Sequence, residues 1–78
     1  MTLKYKYYEK IREIREDRGF TQQQIADLLN IGQRTYSDYE TGKTRIPLES
    51  LIVLAKFYDL DLNYLTGISQ EMRKYPKK

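Results

Sequence analysis

Residues 21–42 read TQQQIADLLNIGQRTYSDYETG, and two helices joined by a sharp turn can be read from them. The Thr21 hydroxyl is placed to accept from the backbone N–H of Gln24, while the Gln24 side chain reaches back to Thr21, and Phe20 and Ile25 flank that cap as a hydrophobic staple. This start chemistry predicts a helix over Gln22–Leu29, with Ile25, Leu28 and Leu29 as its apolar set and Ala26 small enough to let another helix approach. Asn30 follows, a residue that tolerates the left-handed backbone of a tight turn. After the joint Asn30, Ile31 and Gly32, a second helix is expected over Gln33–Thr41, stopped by Gly42. Its Tyr36, Tyr39 and Glu40 share one face. Gln33, Arg34, Ser37, Asp38 and Thr41 occupy the other, and all of them can donate or accept hydrogen bonds. The ordinary alternative for such a face is a solvated surface.

Outward from this core, the flanks also carry helical rather than alternating periodicity. Upstream, Tyr7, Ile11, Ile14 and Arg18 recur at spacings of four, three and four before Gly19, which predicts a helix ending near Arg18. Downstream, Pro47 suits the first position of a fourth helix. Leu48, Leu51, Ile52, Val53, Leu54, Ala55, Phe57 and Tyr58 make that helix apolar nearly all round, so it is expected to be the most buried element. Asp61 caps a short fifth helix, Leu62–Thr66, with Leu60 and Leu65 as a second staple. The expected fold is all-α, a compact five-helix domain over residues 1–67 with its helix-turn-helix at 21–41. Residues 68–78 form a basic C-terminal tail. Ile68, Met72 and Tyr75 keep helical spacing there and are expected to cover a two-fold contact with Leu62 or Leu65, with folding back onto their own domain as the alternative.

Composition narrows the chemistry. A chain of 78 residues supports one small core, and without cysteine or histidine it has neither disulfides nor the commonest metal ligands and general base to supplement it. No glycine-rich phosphate loop is present, and the carboxylates fall on solvated helix faces. No enzyme activity, catalytic residue, metal or cofactor is therefore expected. No signal peptide or membrane-spanning run is recognisable, so the expected location is the cytoplasm, with no membrane partner. The net charge of +3 resides in the tail: Arg73, Lys74, Lys77 and Lys78 supply +4, and +3 less those four leaves −1 for residues 1–72. Any argument for a polyanionic partner must rest on where charges sit, since the total does not supply one.

Arg15 lies one turn beyond Ile11 and points into the same interior, and Glu40 lies one turn beyond Tyr36 on an inward face. Buried charges are tolerated when paired and hydrogen-bonded, so each predicts the other as partner, with snorkelling to the rim as the alternative.

Thr21, Gln22, Ile25, Ala26, Tyr36, Tyr39, Glu40, Gly42 and Pro47, in this order and with Arg15 opposite Glu40, closely resemble the lambda-repressor-like (Cro-type, xenobiotic-response-element) helix-turn-helix family. The resemblance runs from about Tyr8 to Gly67. It implies that the helix at Gln22 crosses a phosphate backbone and that the helix at Gln33 enters the major groove of double-stranded DNA. Gln22 would contact a phosphate and brace Gln33; Gln33, Arg34, Ser37 and Asp38 would face base edges; Thr41, Lys43 and Arg45 would hold phosphates. The chemistry of those side chains is compatible. A helix N-terminus favours an anion, glutamine can pair with adenine and arginine with guanine, while the Asp38 carboxylate can accept from cytosine but repels phosphate. Three positions depart from the family pattern: Asn30 where glycine is frequent, Gly32 where a capping hydroxyl is usual, and Tyr36 where a smaller aliphatic is usual. The function implied is a sequence-specific transcriptional regulator, a repressor binding a two-fold-related operator as a homodimer. A protein-interaction module or antitoxin-type adaptor that keeps the fold is the alternative. No small-molecule effector is expected, because the segment after Gly67 is too short for a second domain.

Overall fold

The computed structural model describes residues 6–76. Among the described residues the chain forms five helices and no strand: α1 (Tyr7–Asp17), α2 (Gln22–Leu29), α3 (Gln33–Thr41), α4 (Leu48–Tyr58) and α5 (Leu62–Leu65). None of them is long and apolar enough to cross a membrane. The bounds of α2 and α3 coincide with those read from capping chemistry. Thr21 Oγ1 accepts from the Gln24 N–H at 3.1 Å, and Gln24 Oε1 accepts from the Thr21 N–H at 2.8 Å. At α5, Asp61 Oδ1 accepts from the Tyr64 N–H at 2.8 Å.

α2, α3 and α4 end alike. Asn30 after α2 and Gly42 after α3 turn left-handed, and the next residue's N–H reaches back five positions: Ile31 to the Ala26 carbonyl at 3.0 Å, Lys43 to the Asp38 carbonyl at 3.0 Å. This double-bonded end satisfies carbonyls the helix would otherwise leave open. Asp59 does the same after α4, with φ of 57° and Leu60 N–H on the Ala55 carbonyl at 2.9 Å.

Ile11 and Ile14 from α1, Ile25 and Ala26 from α2, Tyr36 and Tyr39 from α3, and Leu54, Ala55 and Tyr58 from α4 form the core, closed by Ile46, Leu60 and Leu65. Leu28, expected with the apolar set of α2, is exposed. The larger correction concerns α4. It is not the most buried element: it buries one stripe, Leu54, Ala55 and Tyr58, and leaves Leu48, Val53 and Phe57 at 65%, 40% and 44% exposure. A domain this small has a single layer of helices around its core, so an all-round apolar helix finds cover on one side only. Pro47, at ψ 147°, precedes α4 as its cap rather than occupying its first turn.

The segment after Gly67 adds no helical turn. It runs back along α5, where the Asp61 N–H donates to the Arg73 carbonyl at 2.8 Å and Tyr75 lies half-buried against the core. Leu65 is sealed inside the domain, so of the expected two-fold surface Ile68 and Met72 remain exposed and Leu62 half-buried. Lys77 and Lys78 lie outside the described residues.

Candidate nucleic-acid interface

α3 presents a face without an apolar side chain. Gln33, Arg34 and Thr41 are exposed, Ser37 and Asp38 half-buried, while Tyr36, Tyr39 and Glu40 turn inward. Gly32 leaves α3 without a side-chain cap, as its sequence implies, so the first-turn N–H groups of α3 point outward unclaimed by a capping side chain. The α3–α4 loop carries Lys43 and Arg45, both exposed, beyond the end of that face. Its shape is set by one acceptor. The Asp38 carbonyl receives the Lys43 N–H at 3.0 Å, the Thr44 N–H at 3.3 Å and the Thr41 hydroxyl at 3.3 Å. The Thr41 proton is thus engaged within the helix, and a phosphate contact through it requires that bond to open.

Gln22, on the first turn of α2, stands beside Gln33: Gln33 Nε2 donates to Gln22 Oε1 at 3.2 Å. The α2 N-terminus, Gln22 and the polar face of α3 therefore form one continuous surface. Arg34, Lys43 and Arg45 are its cations and Asp38 its carboxylate, so its local balance is positive although the rest of residues 1–72 is not.

Below this surface lies the inward ion pair. Arg15 Nε donates to Glu40 Oε2 at 2.6 Å and Arg15 Nη2 to Glu40 Oε1 at 3.1 Å, with a third Arg15 nitrogen on the Phe20 carbonyl at 2.8 Å. Both residues are buried, as expected. Two further donors reach the carboxylate: the Tyr36 hydroxyl to Oε2 at 2.5 Å and Gln22 Nε2 to Oε1 at 3.0 Å. Burial opposes the charge on Glu40, but hydrogen bonds from Arg15, Tyr36 and Gln22, with the Arg15 charge, outweigh it and hold the carboxyl below its usual value. Burial, reinforced by the hydrogen bond to Glu40, pushes the Tyr36 phenol well above its ordinary range, so it remains a donor. The Tyr36 hydroxyl thus explains the departure from a smaller aliphatic: it becomes a ligand of the carboxylate.

Two supports escape sequence reasoning. A Cβ at Gly42 would stand 2.7 Å from the Tyr8 ring, so the start of α1 packs directly on the end of α3. Next to it, the Tyr7 hydroxyl accepts from the Ile46 N–H at 3.5 Å, which ties the Lys43–Arg45 loop to α1. No local pattern links residues 7 and 8 to 42 and 46. The bond from Gln22 to Glu40 is likewise invisible in sequence, because each residue belongs to a different pattern.

A family model described as helix-turn-helix matches residues 11–65. The chain is 33% identical over 69 residues to the HTH-type transcriptional regulator AnsR of Bacillus subtilis, covering 88% of this chain and 60% of that one. It is 34% identical over 64 residues to the cryptic phage CTXphi transcriptional repressor RstR of Vibrio cholerae, covering 82% of this chain and 58% of the relative. It thus spans somewhat over half the length of these regulators. A crystal structure of a transcriptional regulator from Listeria innocua superposes with a TM-score of 0.75 at 35% identity, covering 83% of this chain and 61% of that one.

Proposed function

This chain belongs to the helix-turn-helix family, and from that premise we propose that it is a sequence-specific DNA-binding transcriptional regulator, acting in the cytoplasm as a repressor. It binds as a homodimer to a two-fold-related operator, with α3 in the major groove. The observation that carries this reading is the unbroken polar face of α3, flanked by Gln22 on one side and by Lys43 and Arg45 on the other. Phosphate contacts position a protein on a duplex, and base-edge contacts specify the sequence. Gln33, Arg34, Ser37 and Asp38 take the second role; Gln22, Thr41, Lys43 and Arg45 take the first. Residues 1–67 form the DNA-binding domain, and Ile68 and Met72 of the tail, with Leu62, contribute to the two-fold contact. The half-sites then lie one helical turn apart, about 34 to 36 Å, or a multiple of it.

Selection of bound sequences from a random DNA pool, followed by gel shifts at several salt concentrations, tests the reading. Arg34→Ala should cost about 1 to 3 kcal/mol on the selected operator and relax preference at one base pair of each half-site, whereas Lys43→Ala should weaken all sequences alike and lower the salt slope by about one. If Arg34→Ala lost affinity equally on operator and scrambled DNA, its base-reading role would have to be withdrawn. The exposed Leu48, Val53 and Phe57 of α4 favour a second reading, a protein-interaction module or antitoxin-type adaptor. Such a module would give no salt-dependent retardation on any DNA.

A further inference from the structure

We propose that the cleft between the start of α1 and the α3–α4 loop seats a backbone phosphate of the bound duplex, with the Tyr8 hydroxyl donating to it beside the Arg45 guanidinium. The inference rests on the DNA-binding reading above and adds to it a contact from α1, an element outside the helix-turn-helix.

The loop is poorly supplied with backbone donors for such a contact. The Gly42 N–H donates to the Tyr39 carbonyl at 3.2 Å, the Lys43 and Thr44 N–H groups to the Asp38 carbonyl at 3.0 and 3.3 Å, and the Ile46 N–H to the Tyr7 hydroxyl at 3.5 Å. The Thr41 hydroxyl is engaged as well, on the Asp38 carbonyl at 3.3 Å. With these donors committed inward, a phosphate passing the loop is held by side chains. Tyr7, Tyr8, Gly42 and Arg45 line one open cleft there. A Cβ at Gly42 would stand 2.7 Å from Cζ of Tyr8 and 2.8 and 3.1 Å from its two Cε atoms, so the tip of the ring, not its base, lies over Gly42. The hydroxyl is carried on Cζ, which brings it to the loop. Tyr8 is half-buried, and among the described residues its hydroxyl has no hydrogen-bond partner. The Tyr7 ring stands edge-on to that of Tyr8, 5.8 Å between centroids, and the Tyr7 hydroxyl ties down Ile46, so the α1 wall of the cleft is in place before DNA arrives. The two ligands divide the work. Arg45 supplies charge and displaces a counterion, whereas the phenol donates one hydrogen bond and carries no charge.

That difference gives the test. Tyr8→Phe keeps the ring on Gly42 and removes only the oxygen, so its urea midpoint should match that of the wild type. In gel shifts across a salt series it should lose about tenfold in affinity for each half-site, the lower end for a hydrogen bond to a charged group, on operator and scrambled DNA alike and with the salt slope unchanged. Arg45→Gln should also weaken both DNAs, but lower the slope by about 0.9 for each half-site. An uncharged methylphosphonate placed at each linkage of the operator in turn locates the phosphate: at one linkage of each half-site it should weaken the wild type and weaken Tyr8→Phe/Arg45→Gln no further. Wild-type affinity in Tyr8→Phe, a loss confined to the operator, a urea midpoint that falls along with affinity, or the absence of such a linkage would each overturn the inference while leaving the proposed function intact. A wild type that retards no DNA would remove both.

Discussion

Tyr36→Phe and Tyr58→Phe each delete one hydroxyl from tyrosines sealed from solvent, at 0% and 2% exposure, and should move stability in opposite directions. The Tyr36 hydroxyl donates to the ionised Glu40 at 2.5 Å. Hydrogen bonds to charged groups contribute about 1.5 to 3 kcal/mol, so its loss should cost about 2 kcal/mol. The Tyr58 hydroxyl has no hydrogen-bond partner among the described residues, and burial pushes its phenol up to about 12, so it sits neutral and unsatisfied. A buried polar group left unpaired costs about 1 to 3 kcal/mol, and removing it should stabilise by about 1 kcal/mol once the lost packing of the oxygen is counted. The two variants should therefore differ by about 3 kcal/mol. A domain of 78 residues has a total stability of about 4 to 12 kcal/mol, so both should still fold. With a urea slope of about 1 kcal/mol per molar, their midpoints in far-ultraviolet circular dichroism should lie about 3 M apart, with the wild type between them. Midpoints that coincide, or a Tyr58→Phe protein less stable than wild type at unchanged slope, would refute the assignment of one hydroxyl as partnered and the other as orphaned.

Removing either half of the ion pair alone should cost about 3 to 5 kcal/mol. Glu40→Leu should be the worse, because it strips acceptors from Arg15, Tyr36 and Gln22 together, whereas Arg15→Met leaves the carboxylate its other two donors. The Arg15→Met/Glu40→Leu double should recover much of the loss in urea melts; small, additive effects would show the pair contributes as if exposed. The Glu40 carboxyl lies below its unfolded value, so the folded state binds fewer protons there. Its stabilisation is complete above about pH 4.3 and is lost as pH falls through the folded value. Thermal melts across acidic pH should show a steeper decline for wild type than for the double variant, and parallel curves would contradict this. Gly42→Ala should destabilise by about 1 to 3 kcal/mol from its left-handed backbone, at φ 80°, and further from the Tyr8 ring 2.7 Å from the new Cβ. Adding Tyr8→Ala should relieve the second part only, so the double variant should lose less than the sum of the singles.

The sequence by itself determined what is decided within a few residues along the chain. The α2 bounds follow from Thr21 and Gln24, and the joint follows from Asn30, because caps and left-handed turns are closed by partners at most five positions away. Periodicity also placed Arg15 and Glu40 inside, and the cost of an unpaired buried charge then required them to meet across 25 positions. Asp59 shows the limit of local reading, since a left-handed aspartate at the end of α4 carries no signal as plain as glycine's. Only the tertiary structure decided which apolar surface is covered. Eleven residues of α4 offer apolar groups on every side, yet the packing of one layer selects Leu54, Ala55 and Tyr58 and leaves Phe57 outside. It also decided that Tyr8 meets Gly42, that the Asp61 N–H finds the Arg73 carbonyl, and that Gln22 links the core carboxylate to Gln33. These contacts depend on how whole helices are angled and how far they approach. That geometry is fixed by the joint packing of the core, and no window of sequence contains it.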